Sequence, residues 1–320
     1  DGDQPQQKKP KKKKKKSKGG STMHRQSTIC SIRVCPDTRE MVVCVNDGSV
    51  WRCRGAESLH DLQYSWQDVS PRMTVDAAPL FEPISAFNVS WTRGLSMVAH
   101  PSGSVSLCSL ETGVILHRWQ PHVRRTLNMW MFEPSEHGDV LLVTSSSDNT
   151  CAVWRLQQQH QEEDQAPELV VVVHMQKAED ATAACLANGV LLIGDKVGNL
   201  HVVDLRLVAE DVKNVEPHQT LRRAHGREIV SSIAVWLAES AVISLGHDGD
   251  LVLYSWRDGS LQLRDRLTAH PISIPETVWT VDKTLLVGGW HGSHFMIWDV
   301  INRYQFLKID GGLWRRCHAN

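Results

Sequence analysis

Long hydrophobic runs and most types of aromatic residue are scarce in this sequence. Only 5 of its 320 residues are Phe and 3 are Tyr, whereas 12 are Trp. The longest uncharged apolar stretch, residues 169–175, is far shorter than the roughly 20 residues that a membrane-spanning helix requires. The sequence also contains no signal-peptide pattern. We therefore expect neither a membrane-spanning segment nor a membrane partner.

Paired cysteines are missing as well. None of the 8 cysteines forms a Cys-x-x-Cys pair, and most lie inside apolar runs, as small buried side chains of a reducing compartment do. This predicts a cytoplasmic protein. None of the 16 histidines has metal-ligand spacing with cysteines, and His291 with His294 gives only a weak signal. We therefore expect no metal.

Catalytic and nucleotide-binding motifs are absent. There is no Gly-x-Ser-x-Gly elbow, no phosphate-binding loop and no glycine fingerprint of a dinucleotide or methyl-donor site. We expect a non-catalytic protein without a cofactor. A hydrolase with scattered carboxylates at a central channel would escape such a motif search, and it stays the alternative.

Charge is balanced overall but unevenly placed. The chain has 35 Lys and Arg against 36 Asp and Glu, and many of the lysines lie in residues 8–18. Residues 1–21 contain too few apolar side chains to offset chain entropy, so we expect this segment to be disordered. Lys11, Lys12 and Lys13 are candidates for contacts to RNA phosphates. A solvated linker or a nuclear-import signal explains the same run.

From residue 28 onward one motif recurs six times. It consists of two apolar strands, a tight turn built on Asp, Asn or Gly, and a third strand that ends near Trp or Asp. The turn needs a residue that tolerates positive φ, and the flanking strands are rich in β-branched residues. The copies, each written as three strands, are 29–34, 41–45 and 50–51; 84–91, 95–99 and 105–110; 127–132, 140–144 and 151–155; 181–186, 190–194 and 200–205; 229–236, 241–245 and 251–256; 274–281, 285–289 and 294–299.

The spacing of these copies predicts an all-β propeller. The strand ends repeat every 40 to 55 residues, close to the roughly 40–45 residues of a WD repeat plus loop insertions. A small antiparallel sheet cannot cover its own apolar faces, whereas blades stacked around an axis cover them. Six blades, or parts of two propellers in a larger multi-propeller protein, both fit the pattern.

Two short motifs resemble the WD-repeat (WD40) family. They are Val153-Trp154-Arg155 and Ile297-Trp298-Asp299. The resemblance extends from about residue 28 to residue 320, and the Gly-His pair that opens most repeats is reduced to Ala224-His225 and Ala269-His270. We treat residues 28–320 as one propeller region and expect it to be a fragment truncated in its last blade.

The resemblance can be narrowed to one group within the WD-repeat family, through residues 286–299 and 309–316. They are similar to the WD-repeat regulatory subunits of the tRNA ribose 2'-O-methyltransferase that modifies wobble position 34, in which a Gly-x-His segment, a Phe-x-x-Trp strand and a Cys-Gly-Gly-x-x-Arg motif follow one another. Here Asp310 stands in place of the cysteine of that motif. The resemblance implies a scaffold that binds the catalytic methyltransferase subunit and helps to place the tRNA, while the partner binds S-adenosylmethionine.

Two further clusters are candidate binding residues. Trp314, Arg315 and Arg316 combine a stacking surface with two cations, which suits RNA bases or an acidic partner, although they could equally begin another blade. A second basic cluster precedes the fifth copy, in an inter-blade loop of the kind that binds partners. Solvated loop charge is the alternative for this cluster. Its residues are Arg222, Arg223, His225 and Arg227.

Two functions remain open at the level of sequence. The first is an adaptor for the tRNA methyltransferase, with direct tRNA contact left undecided. The second is a WD-repeat platform of another pathway, such as ubiquitin-ligase substrate recognition or vesicle traffic, because the fold alone does not fix function. Asp248 and Asp299 lie where carboxylates fix turns, so we expect them to be structural.

Overall fold

The computed structural model describes residues 28–35, 38, 40–54, 65–133, 139–156, 167–176, 180–209, 211–257 and 260–310. These residues form 25 β-strands and two single-turn 3-10 helices, Leu205–Leu207 and Leu237–Glu239. Within this part of the chain, no helix is long and apolar enough to cross a membrane. The predicted disordered segment 1–21 lies outside the described residues.

The strands are β1 Ile29–Val34, β2 Met41–Val45, β3 Val50–Arg54, β4 Ser65–Asp68, β5 Ala86–Ser90, β6 Leu95–Ala99, β7 Val105–Ser109, β8 Ile115–Trp119, β9 Thr126–Phe132, β10 Val140–Ser146, β11 Thr150–Leu156, β12 Glu168–His174, β13 Ala181–Ala187, β14 Val190–Asp195, β15 Leu200–Asp204, β16 Asn214–Val215, β17 Gln219–Leu221, β18 Val230–Trp236, β19 Ala241–Gly246, β20 Asp250–Arg257, β21 Ser260–Thr268, β22 Ile274–Val281, β23 Thr284–His291, β24 His294–Asp299 and β25 Tyr304–Asp310.

These strands build six antiparallel sheets, which are the blades of a WD40-type β-propeller. Blade 1 is β1–β4, blade 2 is β5–β8, blade 5 is β18–β21 and blade 6 is β22–β25. Blade 3 is β9–β12, and blade 4 is β13–β15 with β17. The remaining strand, β16, leaves blade 4 and pairs in parallel with β12 of blade 3. The predicted all-β fold with six repeats is confirmed.

The blades pack on one another through alternating side chains. In β14, Leu191 and Ile193 pack with blade 3, whereas Leu192 packs with blade 5. All three are fully buried, because successive side chains of a strand point to opposite faces of the sheet. Each buried Leu or Ile contributes roughly 1.5–3 kcal/mol relative to an exposed one. Packing between neighbouring blades therefore supplies most of the core.

The turn between the second and third strand of each blade has the predicted backbone. Gly48, Gly103, Gly198, Gly249 and Gly292 all have positive φ, between 59° and 105°. In blade 3 the same role falls to Asn149, with φ of 65°. Glycine suits these positions because it has no Cβ to be strained at positive φ, and asparagine tolerates this region better than most other residues with a Cβ.

The chain enters every blade at the same edge of the propeller. The first residue of an innermost strand pairs with the last residue of the second strand, as in Ile29 with Val45, Ala86 with Ala99 and Val230 with Gly246. The inter-blade connections and the second-to-third-strand turns therefore share one rim, which we call the entry rim. The hairpins that join the first to the second strand and the third to the fourth form the opposite rim.

Candidate functional site

The basic cluster predicted before the fifth repeat lies on the entry rim. Arg222, Arg223 and Arg227 occupy the connection between β17 and β18, and all three side chains are exposed. Asn199 of the neighbouring turn accepts a hydrogen bond from the backbone N–H of Arg223 through its side-chain oxygen, at 2.9 Å. The three arginines are thus presented to solvent from a loop whose backbone is fixed.

His225 anchors this loop to blade 5. One ring nitrogen lies 2.7 Å from Ser244 Oγ on β19, and the other lies 3.1 Å from Asp248 Oδ1 in the adjoining turn. Asp248 also accepts the backbone N–H of Asp250, in line with the structural role expected of it. Gly246 makes room for the network, since a Cβ there would collide with the imidazole of His225. The histidine of the weakened repeat motif therefore keeps a structural function.

A second arginine pair lies in the equivalent connection between blades 2 and 3. Arg124 and Arg125 are exposed and follow His122, whose ring nitrogens lie 2.9 Å from Thr144 Oγ1 and 3.0 Å from Thr150 Oγ1. The sequence reasoning missed this pair. The signal was present, because Pro121-His122-Val123-Arg124 parallels Ala224-His225-Gly226-Arg227.

Other cations of the entry rim are neutralised by ion pairs. Arg118 lies 2.6 Å from Glu82, Arg266 lies 3.3 Å from Asp250, and Lys196 pairs with Asp180. By contrast, no carboxylate of the described residues lies within ion-pair distance of the five arginines in the two loops. We call these five residues the arginine rim: Arg124, Arg125, Arg222, Arg223 and Arg227.

The His225 ring lies between a serine hydroxyl, Ser244, and a carboxylate, Asp248. The catalytic triad of serine hydrolases has the same sequence of contacts. Burial argues against that use here, because His225 and Ser244 are both 0% exposed. Burial also lowers the pKa of His225, although Asp248 acts in the opposite direction. A nucleophile must reach its substrate, and this hydroxyl does not reach solvent. The triad therefore serves to hold the loop.

The described residues offer no cluster of three metal-binding side chains. His291 and His294 point to different partners, Ser273 at 3.0 Å and Asp310 at 2.6 Å. Asp310, the residue in place of the expected cysteine, thus ends β25 beside His294. Asp299 accepts the backbone N–H groups of Ile301 and Asn302, as a turn-fixing carboxylate does.

Two open clefts, of about 570 and 520 Å³, lie on the opposite rim. Three arginines line the larger cleft, but Arg52 and Arg54 both pair with Glu40. In the smaller cleft Arg264 pairs with Glu239 at 2.9 Å. These clefts therefore present less free positive charge than the arginine rim.

The remaining predicted site residues lie outside the described part of the chain. They are Trp314, Arg315 and Arg316 after β25, and Lys11, Lys12 and Lys13 before β1. Their roles stay predictions.

Comparisons with known proteins add no family assignment. No protein-family model matches the chain, and a search of the curated proteins finds no match. The fold and the geometry of the entry rim therefore carry the functional argument.

Proposed function

We propose that this chain is a non-catalytic adaptor that binds a tRNA ribose 2'-O-methyltransferase and helps to position tRNA for methylation of wobble nucleotide 34. Two lines of support come together here. A β-propeller is compatible with a scaffold that holds partner macromolecules. The resemblance of residues 286–299 and 309–316 to the regulatory subunits of that enzyme names the pathway.

The arginine rim is the observation that carries the RNA half of this proposal. Five exposed guanidinium groups without an ion-pair partner among the described residues project from two connections of the same rim. Guanidinium groups bind phosphate oxygens in pairs, and each phosphate that they neutralise releases counterions. Such a surface suits the tRNA backbone and carries no base specificity by itself.

Chemistry belongs to the partner in this proposal. The methyltransferase subunit would bind S-adenosylmethionine, and the propeller would contribute the placement of the substrate. The buried hydroxyl of Ser244 fits that division, because this network holds a binding loop and has no access to a substrate.

A charge-matched comparison tests the arginine rim. In one variant Arg222, Arg223 and Arg227 become Ala; in its control, three exposed cations of the opposite rim, Arg257, Lys283 and Arg303, become Ala. We expect the first variant to bind tRNA more weakly. Its affinity should also depend less on salt: the slope of log K against log salt should become shallower by up to about 0.7–0.9 for each phosphate contact that is lost. The control should keep the slope of the unaltered chain. Equal effects of the two variants would remove the arginine rim from the RNA interface.

The pathway is tested in cells. We expect a methyltransferase and tRNA to co-purify with the chain, and ribose methylation at nucleotide 34 to fall in cells that lack the gene. Recovery of a ubiquitin-ligase or vesicle-coat component, with methylation intact, would favour the interaction platform of another pathway.

A further inference from the structure

Two cysteines of blade 1 lie side by side, although they are 14 positions apart in the sequence. The sulfur of Cys30 on β1 is 3.3 Å from the sulfur of Cys44 on β2, and it is also 3.3 Å from the backbone oxygen of Cys44. Neither cysteine is in a disulfide. A disulfide holds its sulfurs about 2 Å apart, so a shift of roughly 1 Å would allow these two to bond.

A β-bulge brings the two side chains together. Ile29 pairs with Val45 and Ser31 pairs with Cys44, so Cys30 is the extra residue of the bulge. In a bulge two residues of one strand oppose a single residue of the other, and Cys30 therefore opposes Cys44. Cys44 belongs to the apolar cluster between blades 1 and 2. The pair thus lies on the side of blade 1 that faces blade 2.

Blades 4 and 5 have the same bulge without the sulfurs. Thr182 is the extra residue in blade 4, and Ser231 is the extra residue in blade 5. Their hydroxyls donate to the backbone oxygens of Gly194 and Leu245, each at 3.3 Å. Gly194 and Leu245 are the equivalents of Cys44 in those blades. The bulge therefore does not require sulfur at either position.

The two thiols of blade 1 have different surroundings. Cys30 is exposed, whereas Cys44 is fully buried. The hydrogen bond between the thiols lowers the pKa of Cys30, and the Arg33 guanidinium adds to this effect, although burial opposes it. The same hydrogen bond and burial raise the pKa of Cys44. Because the thiolate is the reactive form of cysteine, an oxidant in solution reacts first with Cys30.

We propose that Cys30 and Cys44 are an oxidation site, at which hydrogen peroxide joins β1 to β2 through a reversible disulfide. The Cys30 thiolate attacks a peroxide oxygen, the O–O bond breaks, and the leaving hydroxide takes up a proton as water. The Cys44 sulfur then attacks the Cys30 sulfenic acid, the S–S bond forms, and the second hydroxide leaves as water with the proton of the Cys44 thiol. The two thiols together lose two electrons to one peroxide, and a dithiol returns them.

The cross-link joins the strands beside the entry rim. Val45, the next residue after Cys44, ends β2, and the turn begins at Asn46. The backbone N–H of Asn46 donates to the backbone oxygen of Thr28 at 3.0 Å, and the N–H of Thr28 donates to the side-chain oxygen of Asn46 at 3.0 Å. Oxidation would add a covalent bond next to these hydrogen bonds and so hold the start of β1 against β2.

Peptide mapping after treatment with hydrogen peroxide tests the pairing. The folded chain is oxidised, the remaining thiols are blocked with a maleimide, and the cross-linked peptides are identified by mass spectrometry. We expect a Cys30–Cys44 cross-link in most of the unaltered chains, and its loss after treatment with dithiothreitol. Cys30→Ser is the matched control, since Ser231 occupies the equivalent position in blade 5. It should keep the melting temperature of the unaltered chain, and its buried Cys44 should stay reduced.

A second variant separates the two chemical steps. In Cys44→Ala the reaction should stop at the Cys30 sulfenic acid, which dimedone traps, whereas the unaltered chain should give little trapped product. If dimedone labels Cys30 of the unaltered chain as strongly as that of the variant, and Cys44 stays reduced, the proposal is overturned.

Unfolding tests whether the bulge selects this pair. In concentrated urea the 8 cysteines should pair with little preference, whereas in the folded chain Cys30–Cys44 should exceed any other pair by about tenfold or more. The same distribution of pairs in both states would overturn the proposal.

Amide hydrogen exchange tests whether the bond holds the strand. In the cross-linked chain, we expect the amides of β1 to exchange roughly threefold or more slowly than in the reduced chain, since the strand no longer separates freely from β2. Unchanged exchange in the cross-linked chain would overturn this structural effect of the oxidation.

Discussion

The indole N–H of Trp236 donates a hydrogen bond to the backbone oxygen of Asp282 at 2.8 Å, and so ties blade 5 to blade 6. Trp236 ends the innermost strand of blade 5 and is 5% exposed, while Asp282 lies in the hairpin between β22 and β23. The tryptophan also belongs to the apolar cluster shared by the two blades. A polar contact thus supplements the inter-blade packing at the opposite rim.

Replacement of this tryptophan tests that contact. We expect Trp236→Phe to lower the free energy of unfolding by about 1–3 kcal/mol, because the Asp282 oxygen loses its donor and the core loses volume. Urea unfolding measures the change. Trp256→Phe, at a position that is 37% exposed, is the control and should cost less, under about 0.5 kcal/mol. Equal costs would show that the hydrogen bond contributes nothing.

Two turn glycines with the same φ allow the cost of backbone strain to be measured separately from the cost of a steric collision. Gly103 and Gly249 both have φ of 87°. A Cβ at Gly249 meets nothing within 4 Å, whereas a Cβ at Gly103 collides with the backbone oxygens of His122 and Arg124. We expect Gly249→Ala to cost about 1–2 kcal/mol from backbone strain alone. Gly103→Ala should cost roughly 1–3 kcal/mol more and weaken tRNA binding by displacing the Arg124 loop.

Unfolding curves and tRNA titrations on both glycine variants decide this comparison. If Gly103→Ala is as stable as Gly249→Ala, the loop carrying Arg124 yields to the added methyl group, and its backbone is not fixed.

The buried histidines predict a loss of stability at mildly acidic pH. Burial lowers the pKa of His122 and of His225 below the ordinary 6.5. The unfolded chain therefore binds more protons than the folded chain as the pH falls past that value, and stability is lost on going from pH 7 toward pH 5. Urea unfolding at several pH values should give a free energy that rises with pH across this range.

A substitution tests how much of this rise in unfolding free energy with pH comes from His225. We expect His225→Gln to reduce it by up to about 1.4 kcal/mol per pH unit, the contribution of one proton. His270→Gln, at an exposed position, should leave the slope unchanged. A wild-type free energy of unfolding that is flat between pH 5 and pH 7 would contradict the pKa assignment.

The Trp-Arg-Arg segment after β25 remains a predicted binding element. We expect the double substitution Arg315→Ala with Arg316→Ala to weaken binding of tRNA or of the methyltransferase several-fold while the melting temperature holds, because these guanidinium groups act on a partner. Binding titrations and thermal unfolding on the same sample decide it. A lower melting temperature with binding intact would assign the pair to folding.

The lysine run is tested by truncation. We expect deletion of residues 1–20 to reduce the salt dependence of tRNA binding, since lysines that neutralise phosphates release counterions. Affinity measured at several salt concentrations gives the slope. An unchanged slope would remove Lys11, Lys12 and Lys13 from the interface and leave the run as a linker or an import signal.

Much of each blade could be predicted from sequence because its three inner strands are apolar runs bounded by turn residues. β1, β2, β6, β22 and β24 have the predicted limits. The fourth strand of a blade was harder to find. β4 is Ser-Trp-Gln-Asp and β17 has three residues, so neither carries a periodic signal. Their positions depend on pairing with the third strand of the blade, which is tertiary information.

Only part of the arginine rim could be predicted from the sequence, for a similar reason. Local charge density located Arg222, Arg223 and Arg227, but Arg124 and Arg125 are only two adjacent cations in the sequence. Their significance depends on blade register, which places both connections on one rim.

The short strand β16 affects which parts of the molecule unfold together. It comes from the connection within blade 4 but adds to the edge of blade 3, where the backbone N–H of Val172 donates to the oxygen of Lys213. Blades 3 and 4 are therefore joined by main-chain hydrogen bonds as well as by side-chain packing. Local unfolding follows such contiguous units, so this pair should exchange its amide hydrogens as one cooperative block.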